Sequence, residues 1–205
     1  MNHQELSFSL FLPQGPGRAT RRPDKEVTDP ARIDLFLKTA TLGFLGLADE
    51  EGTYVVPMNF VWMNGRLYFH GSEAGRKNEA LRRGGTVCFT AAREDGIIAN
   101  PIPAKTSTAF FSVMVFGTVQ EVTDLSEATQ VLEAMLDKYV PGYFSEPLAH
   151  THVEKYRSSL GSKTVVYRLT PARITAKEGA ASPMQLFYPG RKQQDDLARQ
   201  SGSEN

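Results

Sequence analysis

Ser72, Arg76 and Lys77 place one hydroxyl and two cations in a short stretch, GSEAGRK, directly after His70. If Ser72 caps a helix and Gly75, Arg76 and Lys77 fall near its first turn, unpaired N–H groups, a hydroxyl and two positive charges converge on one point. That set of donors suits a phosphate. Basic residues in a first helical turn oppose the macrodipole, and an anionic ligand would relieve the conflict. The alternative is a pair of ordinary solvated charges. His70 has an ordinary pKa close to neutrality, so it is either a proton shuttle or a positional residue bonding a phosphate or a partner chain.

The residues before this turn are organised to hold it. In Tyr54–Trp62 the even positions Tyr54, Val56, Met58, Phe60 and Trp62 are all apolar, the period of a strand with one buried face. Asn64-Gly65 is a strong hairpin turn, because both residues tolerate positive φ, and Arg66–His70 is the return strand. Pro57 has no N–H for a ladder and implies an edge or an irregularity that leaves neighbouring backbone groups open to a ligand. Val56 to Phe60 offer an apolar platform for a planar ring.

Further along, Thr28 or Asp29 is expected to cap a first helix beginning at Pro30. Thr41–Ala48 reads as a strand apolar on both faces, which needs cover from a helix or a partner chain. Asp49-Glu50-Glu51-Gly52 reads as a solvated hairpin turn. Gly85–Ala92 is a strand, and Cys88 within it is a small buried thiol. Arg93–Thr108 reads as a long loop lying on the protein, either a flap near a ligand or a plain insertion. Phe110–Val122 is a long strand and Leu125–Tyr139 an amphipathic helix. Leu148–Leu160 is expected to be helical; His150 with Glu154 makes only a weak metal pair, and no metal site is assigned. Lys163–Thr175 closes the sheet.

Three regions follow: an N-terminal extension over 1–20, in which Phe8, Leu10, Phe11 and Leu12 seek burial, a domain over 21–178, and a polar tail over 179–205 expected to be disordered. The chain has 205 residues, 40% hydrophobic and 22% charged, with zero formal net charge. Nothing in it favours nucleic acid or an anionic membrane. The single cysteine excludes an intrachain disulfide or a cysteine-based zinc site. No signal peptide or membrane span is read, so a cytoplasmic location is the default expectation. Six antiparallel strands with two or three helices predict a β-barrel with peripheral helices. The lone glycine-rich piece, Gly71–Gly75, fits neither a Walker loop nor a dinucleotide fingerprint.

The ordered series PMNF, YFHGSEAGRK and SVMVFG resembles the FMN-binding split-barrel superfamily of pyridoxamine 5'-phosphate oxidase-like proteins, and most of all its nitroimidazole-resistance (Nim-type) branch, over roughly 21–178. The resemblance implies a mainly β fold with peripheral α-helices, a six-stranded antiparallel split β-barrel. It implies FMN, with Pro57, Met58, Asn59 and Phe60 along the ring, His70 and Gly71 beside it, and Ser72, Arg76 and Lys77 at the phosphate. It also implies a catalytic role for His70 and a homodimer with the flavin between subunits. An oxidoreductase would follow, passing electrons from reduced nicotinamide to a small organic acceptor such as a nitroaromatic compound. The alternative is a non-catalytic flavin or haem carrier, with His70 as an axial ligand. The Arg-x-His-type substrate motif of true pyridoxamine phosphate oxidases is missing from YRLTPARITAKEG.

Overall fold

In the computed structural model of the chain, residues 20–157 and 161–202 are described. The expected N-terminal extension and the end of the helix expected over 148–160 lie outside them. The elements run α1 (Pro30–Thr39), β1 (Gly43–Asp49), β2 (Gly52–Met58), β3 (Val61–Met63), β4 (Arg66–Ser72), α2 (Arg76–Arg82), β5 (Thr86–Ile98), β6 (Ser107–Glu121), α3 (Leu125–Tyr139), α4 (His150–Glu154), β7 (Thr164–Gly179) and α5 (Gln193–Gly202). The fold is mainly β, with an antiparallel sheet and peripheral helices.

The sheet has seven strands in the order β2-β1-β5-β6-β7-β4-β3, one more than the six expected. The extra strand arises because Tyr54–Trp62 is not continuous. The chain leaves the ladder after Met58, passes through Asn59 and Phe60, and re-enters as β3 on the opposite edge of the sheet. Two residues thus connect the two edges, so the sheet must curl towards closure although no hydrogen bonds join β2 to β3. Pro57 sits on the edge strand, where its missing N–H costs no ladder bond.

The inner face of this curled sheet forms the main core. Phe60, Leu67, Phe69, Phe89, Val113, Val115 and Leu169 are fully buried there, with Phe36 and Leu37 of α1 closing one end. Asp29 caps α1 by accepting from the Ala31 N–H at 2.9 Å, as the Asp-Pro pair implies. A smaller cluster forms where Ala128, Val131 and Met135 of α3 pack on Val61, Tyr68 and Val166. Asn64 (φ 50°) and Gly65 (φ 71°) make the β3–β4 turn with the two positive φ values of a type I′ hairpin.

Two expectations are corrected. Half of the loop expected over Arg93–Thr108 is strand: β5 runs to Ile98 and β6 begins at Ser107. Gly96, which reads as a turn former, instead marks a bulge between Glu94 and Gly96, at φ 126°. The tail beyond 179 is also ordered through 202. Leu186 bridges to Ile98, and the Phe187 N–H donates to the Ile97 carbonyl at 2.7 Å. Arg191 and Asp196 form a buried ion pair that ties α5 down. Polar composition hid this docking because the segment is held by backbone pairing and a charge pair more than by an apolar face.

Candidate functional site

The end of β4, the turn after it and α2 form the candidate site. α2 leaves β4, at one edge side of the sheet, and lies across to the β1–β2 turn at the other. It therefore covers the split. Gly75 is its N-cap, at φ 94°, and no side chain caps it. Ser72 does not cap the helix, contrary to expectation. Its hydroxyl accepts from the Ala74 N–H at 3.0 Å and donates to Ser162 Oγ at 2.9 Å, tying the turn to the start of β7. The three residues Glu73, Ala74 and Gly75 separate it from the helix.

Arg76 and Lys77 diverge. The Arg76 guanidinium donates twice to Asp49, at 2.6 and 2.9 Å, and also meets Glu51 at 3.2 Å. It lies over the Tyr54 ring, 4.1 Å from its centroid. Hydrogen bonding to Arg76 holds the Asp49 carboxyl below the usual carboxylate range. The conflict between Arg76 and the macrodipole is thus relieved by carboxylates of the β1–β2 turn, which the sequence presents as solvated. Among the described residues the Tyr54 hydroxyl is buried without a hydrogen-bond partner.

Lys77 turns the other way, over Gly71. Any side chain on Gly71 would collide with the Lys77 ammonium, so the bare backbone is what makes room for it. Among the described residues no carboxylate pairs with this ammonium, and burial pushes its pKa down. A half-buried cation without a counter-ion is costly and favours an anion beside it.

His70 points to the outer side of β4, towards α3, with Nδ1 3.2 Å from Met135 Sδ. Its ring keeps access to solvent in the single chain. The protein packed around it, and secondarily the Lys77 charge, lower its pKa. Both effects favour the neutral ring. With Nδ1–H directed at the thioether, Nε2 is the nitrogen left to hold or release a proton.

The residues expected along a ring divide. Pro57 is exposed on the outer face, Met58 is half-buried and Asn59 is exposed. Phe60 departs from the expectation. Its side chain is fully buried in the core, in edge contact with Phe89. Its backbone is also taken: the Phe60 N–H donates to Tyr139 Oη at 2.8 Å, and Lys138 Nζ donates to its carbonyl at 3.0 Å. The open backbone expected after Pro57 is therefore not at Phe60, because α3 fills those bonds. Asp49, Tyr54, Lys138 and Tyr139 are the residues that sequence reasoning missed. Only the apolar spacing of Tyr139 in its helix was visible, and it signalled packing.

The outer sheet face is apolar and uncovered in the single chain. Phe44, Pro57, Thr90 and Met114 lie in one cross-strand row. Val55 beside them is 62% exposed and Phe44 40%.

A curled, mainly antiparallel sheet with peripheral helices, its two edges joined by the two-residue crossing at Asn59 and Phe60, has the architecture of a split-barrel protein. The family profile for pyridoxamine 5'-phosphate oxidase matches residues 29–178, and the chain belongs to that family. Among solved structures it is similar to a putative 5-nitroimidazole antibiotic resistance protein from Bacteroides thetaiotaomicron, at 29% identity and TM-score 0.60, over 74% of this chain and 85% of that one. It is also similar in fold to the flavocytochrome Anf3 from Azotobacter vinelandii, at 23% identity and TM-score 0.71, over 91% and 81%. A third likeness is the FAD and heme binding protein from Mycobacterium smegmatis, at 21% identity and TM-score 0.63, over 85% and 80%. No curated protein matches the sequence.

Proposed function

We propose that this protein binds a flavin, FMN in the first instance, at the split of the barrel. As an oxidoreductase it would pass electrons from reduced nicotinamide to a small organic acceptor, nitroaromatic compounds included. The observation that carries the reading is Lys77: a half-buried ammonium that no carboxylate among the described residues pairs with, seated over Gly71 where no side chain fits. Family membership and the names of the solved relatives support a flavin in preference to another phosphate ester.

The residues fit such a cofactor in part. Lys77 would hold the phosphate, with the Ser72 turn beside it, while Met58 and Asn59 would border the ring. Phe60 would act from behind, as core that fixes the β2–β3 crossing. A bound flavin supplies the two-electron chemistry. His70, with Nδ1–H on the Met135 thioether, would take up a proton at Nε2 and pass it on next to the reacting centre. The exposed row of Phe44, Pro57 and Met114 supports a homodimer through the outer sheet face, since contiguous apolar surface of this kind marks an interface.

One observation favours a second reading, a flavin or haem carrier without turnover. His70 is solvent-accessible, and with its Nδ1 on the Met135 thioether its Nε2 is a donor of the type that iron porphyrins accept as an axial ligand. The test is the absorption spectrum and mass of whatever copurifies with the full chain, followed by nicotinamide oxidation with a nitro compound. Flavin bands with turnover support the enzyme. A Soret band, or flavin without turnover, supports the carrier. A colourless protein that takes up neither group ends both.

A further inference from the structure

Arg76 already has an anion. Asp49 accepts from Nε and Nη2 at 2.6 and 2.9 Å, the Asp49 side chain being only 10% exposed, and Glu51 meets Nη1 at 3.2 Å. The guanidinium is further pinned on the Tyr54 ring. Bidentate Arg–carboxylate geometry is the geometry in which Arg binds phosphate, so one partner excludes the other. Of the two cations, Lys77 is the one that no carboxylate among the described residues pairs with.

We propose that Asp49 is a specificity-determining residue of the phosphate site: it holds Arg76 as an internal counter-ion, so an incoming phosphate meets Lys77 alone unless it displaces the carboxylate. This rests on the flavin reading above. The ligand's phosphate charge then decides how much Asp49 matters. A terminal phosphate monoester, close to a dianion at neutral pH, competes with Asp49 for Arg76 and gains most when Asp49 is neutralised. A dinucleotide diphosphate, with one charge on each phosphate, gains less. An unphosphorylated flavin gains nothing. The charged groups facing Asp49 are Arg76, Arg83, whose nearer partner is Glu50, and Glu51 on its own turn.

The experiment titrates FMN, FAD and riboflavin by fluorescence quenching against the full-length wild type, Asp49→Asn, Arg76→Gln and the double variant. Asp49→Asn is expected to tighten FMN roughly tenfold, about the worth of one charge-assisted hydrogen bond. FAD should tighten less and riboflavin should not change. Arg76→Gln alone should change FMN affinity little, and in the double variant it should erase the gain. Glu51→Gln, on the exposed side of the pair, should act in the same direction by a smaller factor, and serves if Asp49→Asn does not fold. An unchanged FMN-to-riboflavin ratio in Asp49→Asn and Glu51→Gln overturns the proposal, as does an Arg76→Gln loss in the wild-type background equal to that in the Asp49→Asn background. Failure of every flavin to bind the wild type overturns the flavin reading itself, a result separate from these.

Discussion

The Tyr139 hydroxyl accepts from the backbone N–H of Phe60 at 2.8 Å and lies 2.9 Å from the carbonyl of the same residue, across 79 positions of sequence. A side chain of α3 thus replaces the ladder partner that Phe60 loses where the chain crosses between sheet edges. The same hydroxyl reaches the Thr41 carbonyl at 2.7 Å, so it also ties down the start of β1. Tyr139→Phe keeps the ring and leaves the Phe60 N–H without a partner. A loss of about 1–3 kcal/mol is expected from the unsatisfied donor, read by urea unfolding. Hydrogen exchange should accelerate at Phe60 and Val61 before the rest of β3. A variant as stable as wild type would mean that water substitutes for the hydroxyl.

Gly71→Ala tests the cradle for Lys77. The added Cβ meets the far end of a flexible side chain, so the lysine swings away at little cost to the fold. Stability should change by less than about 1 kcal/mol, while FMN affinity falls about tenfold, the worth of one lost charge-assisted contact. Riboflavin affinity should hold, because it has no phosphate. Equal loss for both flavins would place the defect at the ring and remove Lys77 from the phosphate.

Much of this architecture was legible because local chemistry dictates it. Asn64-Gly65 can hardly do anything but turn, Asp29-Pro30 starts a helix, and the alternation in Phe110–Val122 needs a strand. The cluster from His70 to Lys77 was found as a run, since its residues are neighbours in sequence. What was not legible depends on distant partners. Asp49 and Arg76 are 27 positions apart, and nothing in either neighbourhood announces that one occupies the other. Tyr139 looks apolar in its helical pattern, yet its hydroxyl is the part that matters to Phe60. The continuity of β2 into β3 was overread because a period of two persists through Asn59, while the change of sheet edge leaves no mark on the pattern.

His70 gives a pH prediction. Burial, helped by Lys77, lowers its pKa in the folded chain, so the unfolded chain binds the proton more readily. Stability from this group is therefore fully present above the unfolded pKa of about 6.5 and is lost as pH falls from there through the lower folded value. Urea midpoints measured from pH 8 to 5 should drop in wild type more than in His70→Asn. Lys77→Gln should raise the His70 pKa, followed by the imidazole proton resonance. A resonance that titrates at the ordinary value in both proteins would remove the electrostatic link between the two side chains.

Lys138 carries the last prediction. Its ammonium donates to the Phe60 carbonyl at 3.0 Å, and its nitrogen lies 4.2 Å from the centroid of the Phe60 ring. Burial lowers its pKa to about 8. Because the folded pKa lies below the unfolded value of about 10.4, the unfolded chain binds more protons between the two, and stability rises with pH across that window. This is opposite in sign to a lysine held by a carboxylate. Lys138→Met, which keeps the length of the side chain and discards the charge, should flatten the slope of unfolding free energy between pH 8 and pH 10. The neutral variant also loses the bond to the Phe60 carbonyl, so part of the gain from removing a buried charge is offset at pH 7. The slope is therefore the informative readout, and an identical slope in wild type and variant would show that the ammonium is as well solvated in the folded chain as in the unfolded one.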